Sequence, residues 1–133
     1  MYHKIKTTKP QQFIDITKTV AEEVKSSNIQ DGVAVIFVPH TTAGLTINEN
    51  ADPDVVRDII SSLNKAYPVS GDYLHFEGNS HGHIKASLMG SSCSVLINNG
   101  RLLLGTWQGI YFCEFDGPRN REFYVRIIRD FQQ

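Results

Sequence analysis

Four of the five histidines in this 133-residue chain stand in two short stretches. "HFEGNSHGHIKAS" carries His75, His81 and His83, and "HTTAGLTINEN" opens on His40. Neutral imidazole is the commonest metal ligand, and three imidazoles with an open fourth position make a catalytic type of zinc site. On an extended backbone His81 and His83 would lie on one side of the chain. No HExxH pair is present. The pattern by itself fits a metal centre and equally fits histidines along a solvated loop.

Carboxylates and cations stand nearby in sequence. Glu49 and Asn50 end the stretch that His40 begins, and Glu77 lies between His75 and His81. A carboxylate beside a metal-bound imidazole orients it or serves as general base. The same Glu49 also reads as a surface charge beside a helix. Lys85 and Ser87 continue the histidine stretch, and Arg101, Arg119 and Arg121 lie in or near turns. Such cations bind phosphate, bidentately when they are arginine. The single tryptophan, Trp107 of "GTWQG", reads locally as a core residue and otherwise as the cover of a pocket.

These residues need elements to position them. "YHKIKTT" alternates and predicts a first strand. From Gln11 to Ser27 the apolar residues Phe13, Ile16, Val20 and Val24 recur at helical spacing, with Pro10 in the first turn. "VAVIFV" (33–38) predicts a central strand buried on both faces, placing His40 where strand gives way to loop. "GLTINEN" predicts a further strand. Asp52 as N-cap and Pro53 at the first helical position open a helix with Val55, Val56, Ile59, Ile60 and Leu63 as its apolar stripe, ended by Pro68.

From Val69 to Gly82 there is no sustained periodicity, and long irregular segments in small domains are commonly functional. Asn98-Asn99-Gly100 marks a hairpin, and Asp116 to Asn120 a longer turn between two strands. The sum is one α+β domain over 1–133, a largely antiparallel sandwich with two main helices.

Composition narrows the function classes. Hydrophobic content of 41% and charged content of 20% are those of an ordinary globular protein. A net charge of −1 gives no electrostatic footprint for nucleic acid. No basic amphipathic segment suggests a membrane surface, and no apolar run approaches the roughly 20 residues of a spanning helix. Cys93 and Cys113 lie in apolar runs with no CxxC pair, as reduced core residues would. The chain reads as cytoplasmic.

Three longer motifs, "HTTAGLTINENADPDV", "HFEGNSHGHIKASLMGSS" and "GTWQGIYFCEFDGPRNR", run in order over nearly the whole chain. Together they resemble the YjbQ-like (UPF0047) family, also called the secondary thiamine-phosphate synthase family. The resemblance implies a compact α+β fold assembled as a homotrimer, with a histidine-lined pocket near subunit contacts. It implies a weak thiamine-phosphate synthase activity, joining a pyrimidine pyrophosphate to a thiazole phosphate and expelling pyrophosphate.

By position, the resemblance makes His40, His75 and His83 the candidate ligands of a divalent metal, zinc before others, with His81 a neighbour. Glu49, Lys85 and Arg121 become catalytic candidates, Glu49 as base and the two cations toward anionic groups. Asn50, Ser87, Trp107 and Gln108 become substrate contacts, and Glu114 falls in the last motif without a role. The other expectation is a non-catalytic trimer that holds a metal or small ligand. It is favoured by the lack of a P-loop and by the poor match of three imidazoles to Mg²⁺.

Overall fold

The computed structural model describes residues 1–131. Along these residues run eight strands and three helices. In order they are β1 (Tyr2–Lys6), β2 (Gln12–Asp15), α1 (Thr17–Ser27), β3 (Gly32–Phe37), β4 (Ala43–Glu49), α2 (Pro53–Ala66), α3 (Ser80–Met89), β5 (Ser92–Asn98), β6 (Arg101–Leu102), β7 (Gln108–Glu114) and β8 (Asn120–Arg129). The strands pair antiparallel throughout. One sheet has five strands in the order β1-β8-β3-β5-β6 and the other three in the order β2-β7-β4. The α+β class and the antiparallel sheets are as the sequence predicts, with three helices in place of two.

Both sheets feed one core. Ala34, Ile36, Val95, Ile97, Phe123 and Val125 enter it from the large sheet, Leu45, Ile110 and Phe112 from the small one, and Val20 and Val24 from α1. Tyr111 and Cys113 point the other way from β7, into a smaller cluster with Ala86 and Phe115, against which Val56 and Leu63 of α2 pack. The strand buried on both faces is therefore β7. The strand expected to be so, β3, is central between β8 and β5, but its alternate residues Val33 and Val35 are half-covered and Phe37 is exposed. Cys113 is buried and Cys93 half-buried, both as free thiols, and burial pushes the Cys93 thiol up to about 11.

The predicted helix from Gln11 to Ser27 divides in two. Phe13 and Ile14 pair with Cys113 and Phe112 across the β2–β7 ladder, because β7 has an edge that would otherwise lack backbone partners. Asp15 then closes the entry to α1, accepting from the Thr17 N–H at 2.9 Å and the Thr17 hydroxyl at 2.6 Å. The hairpin at Asn98-Asn99-Gly100 forms with positive φ at Asn99 (52°) and Gly100 (77°), the left-handed pair that its residues favour.

The N-cap of α2 is as expected: the Asp52 carboxylate accepts from the Asp54 N–H at 2.9 Å, and Pro53 follows. Asp52→Ala is expected to lower stability by about 1 kcal/mol in chemical denaturation. A loss below a few tenths would show that the cap is idle. The α2 stripe from Val55 to Leu63 is only half-buried, so this helix lies on the body without being enclosed by it.

Candidate functional site

The segment with the histidines is not extended. Residues from Ser80 to Met89 form α3, which overturns the expectation that His81 and His83 share a side. On a helix two residues differ by about 200° and four by about 40°. His81 and Lys85 therefore occupy one face, and His83 and Ser87 the other. Gly44 permits the close approach of this helix to β4: a Cβ there would stand 2.6 Å from the Gly90 carbonyl oxygen.

The outer face of α3 meets His40. His40, Thr41, His83, Ala86, Ser87 and Ser91 are among the residues lining a cleft of about 480 Å³. The His75 ring stands edge-on to His83 with centroids 5.3 Å apart, and its Nε2 is 3.9 Å from Glu77 Oε2. His40, His75, His83 and Ser87 thus come together from three separate parts of the chain.

The His40 ring is held by the neighbouring strand. Its Nε2 accepts the Glu122 N–H at 3.0 Å. Nε2 must then be unprotonated, leaving the proton on Nδ1. Burial and then the positive charge of Arg121 hold His40 below the usual imidazole range, against the smaller pull of Glu122. It is a neutral ring with one N–H to offer.

This arrangement does not fit a metal centre within one chain. A metal-bound imidazole uses one nitrogen lone pair and donates its other N–H to an acceptor, whereas the lone pair of His40 already faces an N–H. Among the described residues no group of three His, Cys, Asp or Glu side chains is placed to hold a metal ion.

Lys85 lies away from the cleft. It is 0% exposed, and its ammonium donates to Asn64 Oδ1 at 2.6 Å and lies 2.8 Å from His81 Nδ1. Burial lowers the Lys85 pKa. Burial and then the Lys85 charge lower that of His81. Lys85, expected to meet an anionic group, is instead held on Asn64 and His81, and α3 has two unlike faces.

Arg121 is likewise drawn inward. Its Nε and Nη2 donate to Glu114 Oε2 at 2.8 Å and Oε1 at 2.5 Å, and Nη2 also donates to the Thr42 hydroxyl at 2.8 Å. Glu114 further accepts from the Thr7 hydroxyl and the Asp116 N–H, each at 2.9 Å. Burial alone would raise the Glu114 carboxyl; Arg121 and these donors more than offset it, so its pKa is lowered. Arg121 is a buried structural cation, not a substrate-facing one. Sequence reasoning left Glu114 without a role, and its only signal was a carboxylate inside an apolar strand.

The remaining candidates gather at the far end of the small sheet. Ala43 pairs with Glu114 at one end of β4, and Glu49 with Gln108 at the other. Six residue steps of strand separate them, about 20 Å. The Asn50 N–H donates to the Trp107 carbonyl at 3.0 Å and its amide to Asp15 Oδ2 at 3.0 Å. Gln108 Oε1 accepts the Gly105 N–H at 2.8 Å. Gly109 leaves room for Asn50, whose Nδ2 would lie 2.4 Å from an added Cβ. Trp107 is 62% exposed, not a core residue. Within one chain Glu49, Asn50, Trp107 and Gln108 form a cluster separate from the histidines.

Solved structures of similar sequence share this architecture over nearly their full lengths. The family described as UPF0047 protein YjbQ-like matches residues 1–130. The UPF0047 protein MJ1081 of Methanocaldococcus jannaschii is 56% identical over 128 residues, 96% of this chain and 93% of that one. YugU of Bacillus subtilis is 52% identical over 126 residues, 94% of this chain and 96% of that one. The crystal structure of an uncharacterised protein of the family from Clostridium acetobutylicum has a TM-score of 0.95 at 62% identity, covering 96% of this chain and 99% of that one. A YbjQ-like protein of unknown function from Sulfolobus solfataricus has a TM-score of 0.94 at 31% identity, covering 98% and 96%. No helix among the described residues is long and apolar enough to cross a membrane. The chain belongs to the YjbQ-like UPF0047 family.

Proposed function

We propose that the cleft of His40, His83 and Ser87 serves a small-molecule enzyme acting on a phosphorylated or heterocyclic substrate. Thiamine-phosphate synthesis is the reaction to assay first. The observation that carries this reading is the neutral His40 ring, whose lone pair is fixed on the Glu122 N–H and whose Nδ1–H is thereby left as a donor. As pyrophosphate departs, negative charge builds on its oxygens, and preorganised N–H donors stabilise it. His83 and Ser87 supply further polar groups in the same cleft. A zinc ion here would need His40 to turn from Glu122, so this mechanism routes no step through a metal.

One observation favours the binding-protein reading instead. Among the described residues no lysine or arginine lines this cleft, although pyrophosphate departure calls for cations. Turnover by purified protein separates the two readings.

We also propose that the working unit is a homotrimer. Across the β3–β8 and β3–β5 ladders Phe37 stands opposite Tyr124, and Val33 opposite Ile128 and Leu96. Phe37, Leu96, Tyr124 and Ile128 are between 41% and 61% exposed. Arg126 and Ser94 flank Val35 between these rows, so the face is apolar with polar interruptions, a composition that suits an interaction surface. Association offers a way for the Glu49–Gln108 end of one copy to meet the His40 end of another.

A complementation assay tests this. His83→Ala and Glu49→Gln are each expected to abolish turnover, and mixed, co-refolded subunits to recover a fraction of it. Sedimentation controls should show trimers in every sample. Dead mixtures would mean the two clusters serve no common site, and a monomeric wild type would dismiss the trimer.

A further inference from the structure

We propose a second binding site, independent of the His40 cleft: the groove between β2 and α2 takes a small phosphate monoester with an apolar body. The groove is open along one side and has a volume of about 720 Å³. Phe13, Val56 and Ile60 provide apolar walls, Lys9, Arg57 and Lys65 border it, and among the described residues no carboxylate lines it. A pocket with apolar walls and cations of one sign suits an anion carried on an apolar group.

The cations are free to act. Arg57 has Asp54 as an ionic neighbour at 3.9 Å, in a pair 81% and 71% exposed. An exposed pair of that length holds the guanidinium weakly. The α2 stripe, half-buried along its length, keeps Val56 and Ile60 available to a ligand's apolar part.

The inner end of the groove is polar and incompletely satisfied. Gln11 donates from Nε2 to Asn64 Oδ1 at 2.9 Å, and the buried Lys85 ammonium donates to the same oxygen at 2.6 Å. Gln11 Oε1 is buried and has no donor. Buried carbonyl oxygens are normally paired; this one, closed to solvent as it stands, would meet a hydroxyl or amino group of the ligand once the Gln11 side chain turns toward the groove. The Lys85 charge behind Asn64 adds to the positive field. Lys85, inert toward the histidine cleft, thus gains a role on the opposite side of α3.

Phenyl phosphate is the probe, followed through the side-chain amide signals of Gln11 and Asn64 in ¹H–¹⁵N spectra. Saturable shifts are expected with a midpoint below about 1 mM, and at least about tenfold weaker binding in Arg57→Ala/Lys65→Ala. Both substituted residues are exposed, and an unchanged melting temperature verifies the fold. His40→Ala should bind the probe as the wild type does, whatever becomes of its turnover. Absence of saturation by about 10 mM would overturn the site, as would equal affinity in the double variant or loss of binding in His40→Ala. Inorganic phosphate binding as tightly as the probe would remove the apolar body from the proposal.

Discussion

Arg121→Ala is expected to destabilise the protein by about 3–5 kcal/mol, because it leaves the Glu114 carboxylate buried without its counter-charge. Glu114 is 0% exposed and Arg121 is 7% exposed. The pair joins β7 to β8 and, through Thr42, to the segment after His40. Against a typical total of about 5–15 kcal/mol for a folded protein, such a loss is large. Removing both charges tells a different story. Glu114→Leu/Arg121→Met should recover most of the stability, since well-packed apolar replacements of buried ion pairs are commonly neutral or better. Chemical denaturation of wild type, single and double variants would check this. A single variant within about 1 kcal/mol of wild type would show that water or relaxation rescues the carboxylate.

The same pair sets an acid sensitivity. The Glu114 pKa is lowered in the folded protein. Its contribution is therefore complete above the unfolded carboxyl value, about 4.3, and is lost as pH falls through the lower folded value. In the double variant that part of the acid unfolding should vanish.

His40→Ala is expected to lower turnover by about 10²–10⁴-fold, the usual worth of a positioned proton-transfer group or comparable donor. Its fold should survive, because His40 is half-buried and outside the main hydrophobic cluster. His40→Gln refines the result. Glutamine can accept the Glu122 N–H and still offer an N–H of its own, but it cannot carry a proton. Partial activity would identify His40 as a neutral donor, and a loss equal to that of alanine would identify it as a proton carrier. Wild-type turnover in both variants would remove His40 from the mechanism.

Sign matters in the pH profile too. The folded His40 pKa is lowered, so activity should stay level down through about pH 6.5, the ordinary imidazole value, and fall below it. Its stability contribution behaves the same way, complete above the unfolded value and lost as pH falls through the folded one. Protonation of Nε2 would end the bond from Glu122, which is why both quantities share the same acid limb.

What the sequence determined by itself lies where local chemistry decides structure. Asp52-Pro53 starts α2 because a carboxylate can cap free N–H groups and proline lacks one. Asn99-Gly100 turns the chain because those residues tolerate positive φ. Alternation from Tyr2 onward predicts a strand and is one. The two histidine-bearing motifs were legible in the sequence, but their residues alone fit a solvated loop equally well, and only the family resemblance joined His40 with His75 and His83.

Tertiary structure decided the rest. Phe13 fits a helical stripe as well as a strand, and only the open edge of β7 assigns it to β2. The glycine-bearing segment around His83 has too little apolar periodicity to announce α3; packing against β4 makes it a helix and so turns His81 and His83 apart. A lysine and an arginine read in sequence as cations for an anionic substrate group. Lys85 and Arg121 are buried because their partners, Asn64 and Glu114, are delivered by other elements, and no local pattern encodes a partner supplied from elsewhere in the chain.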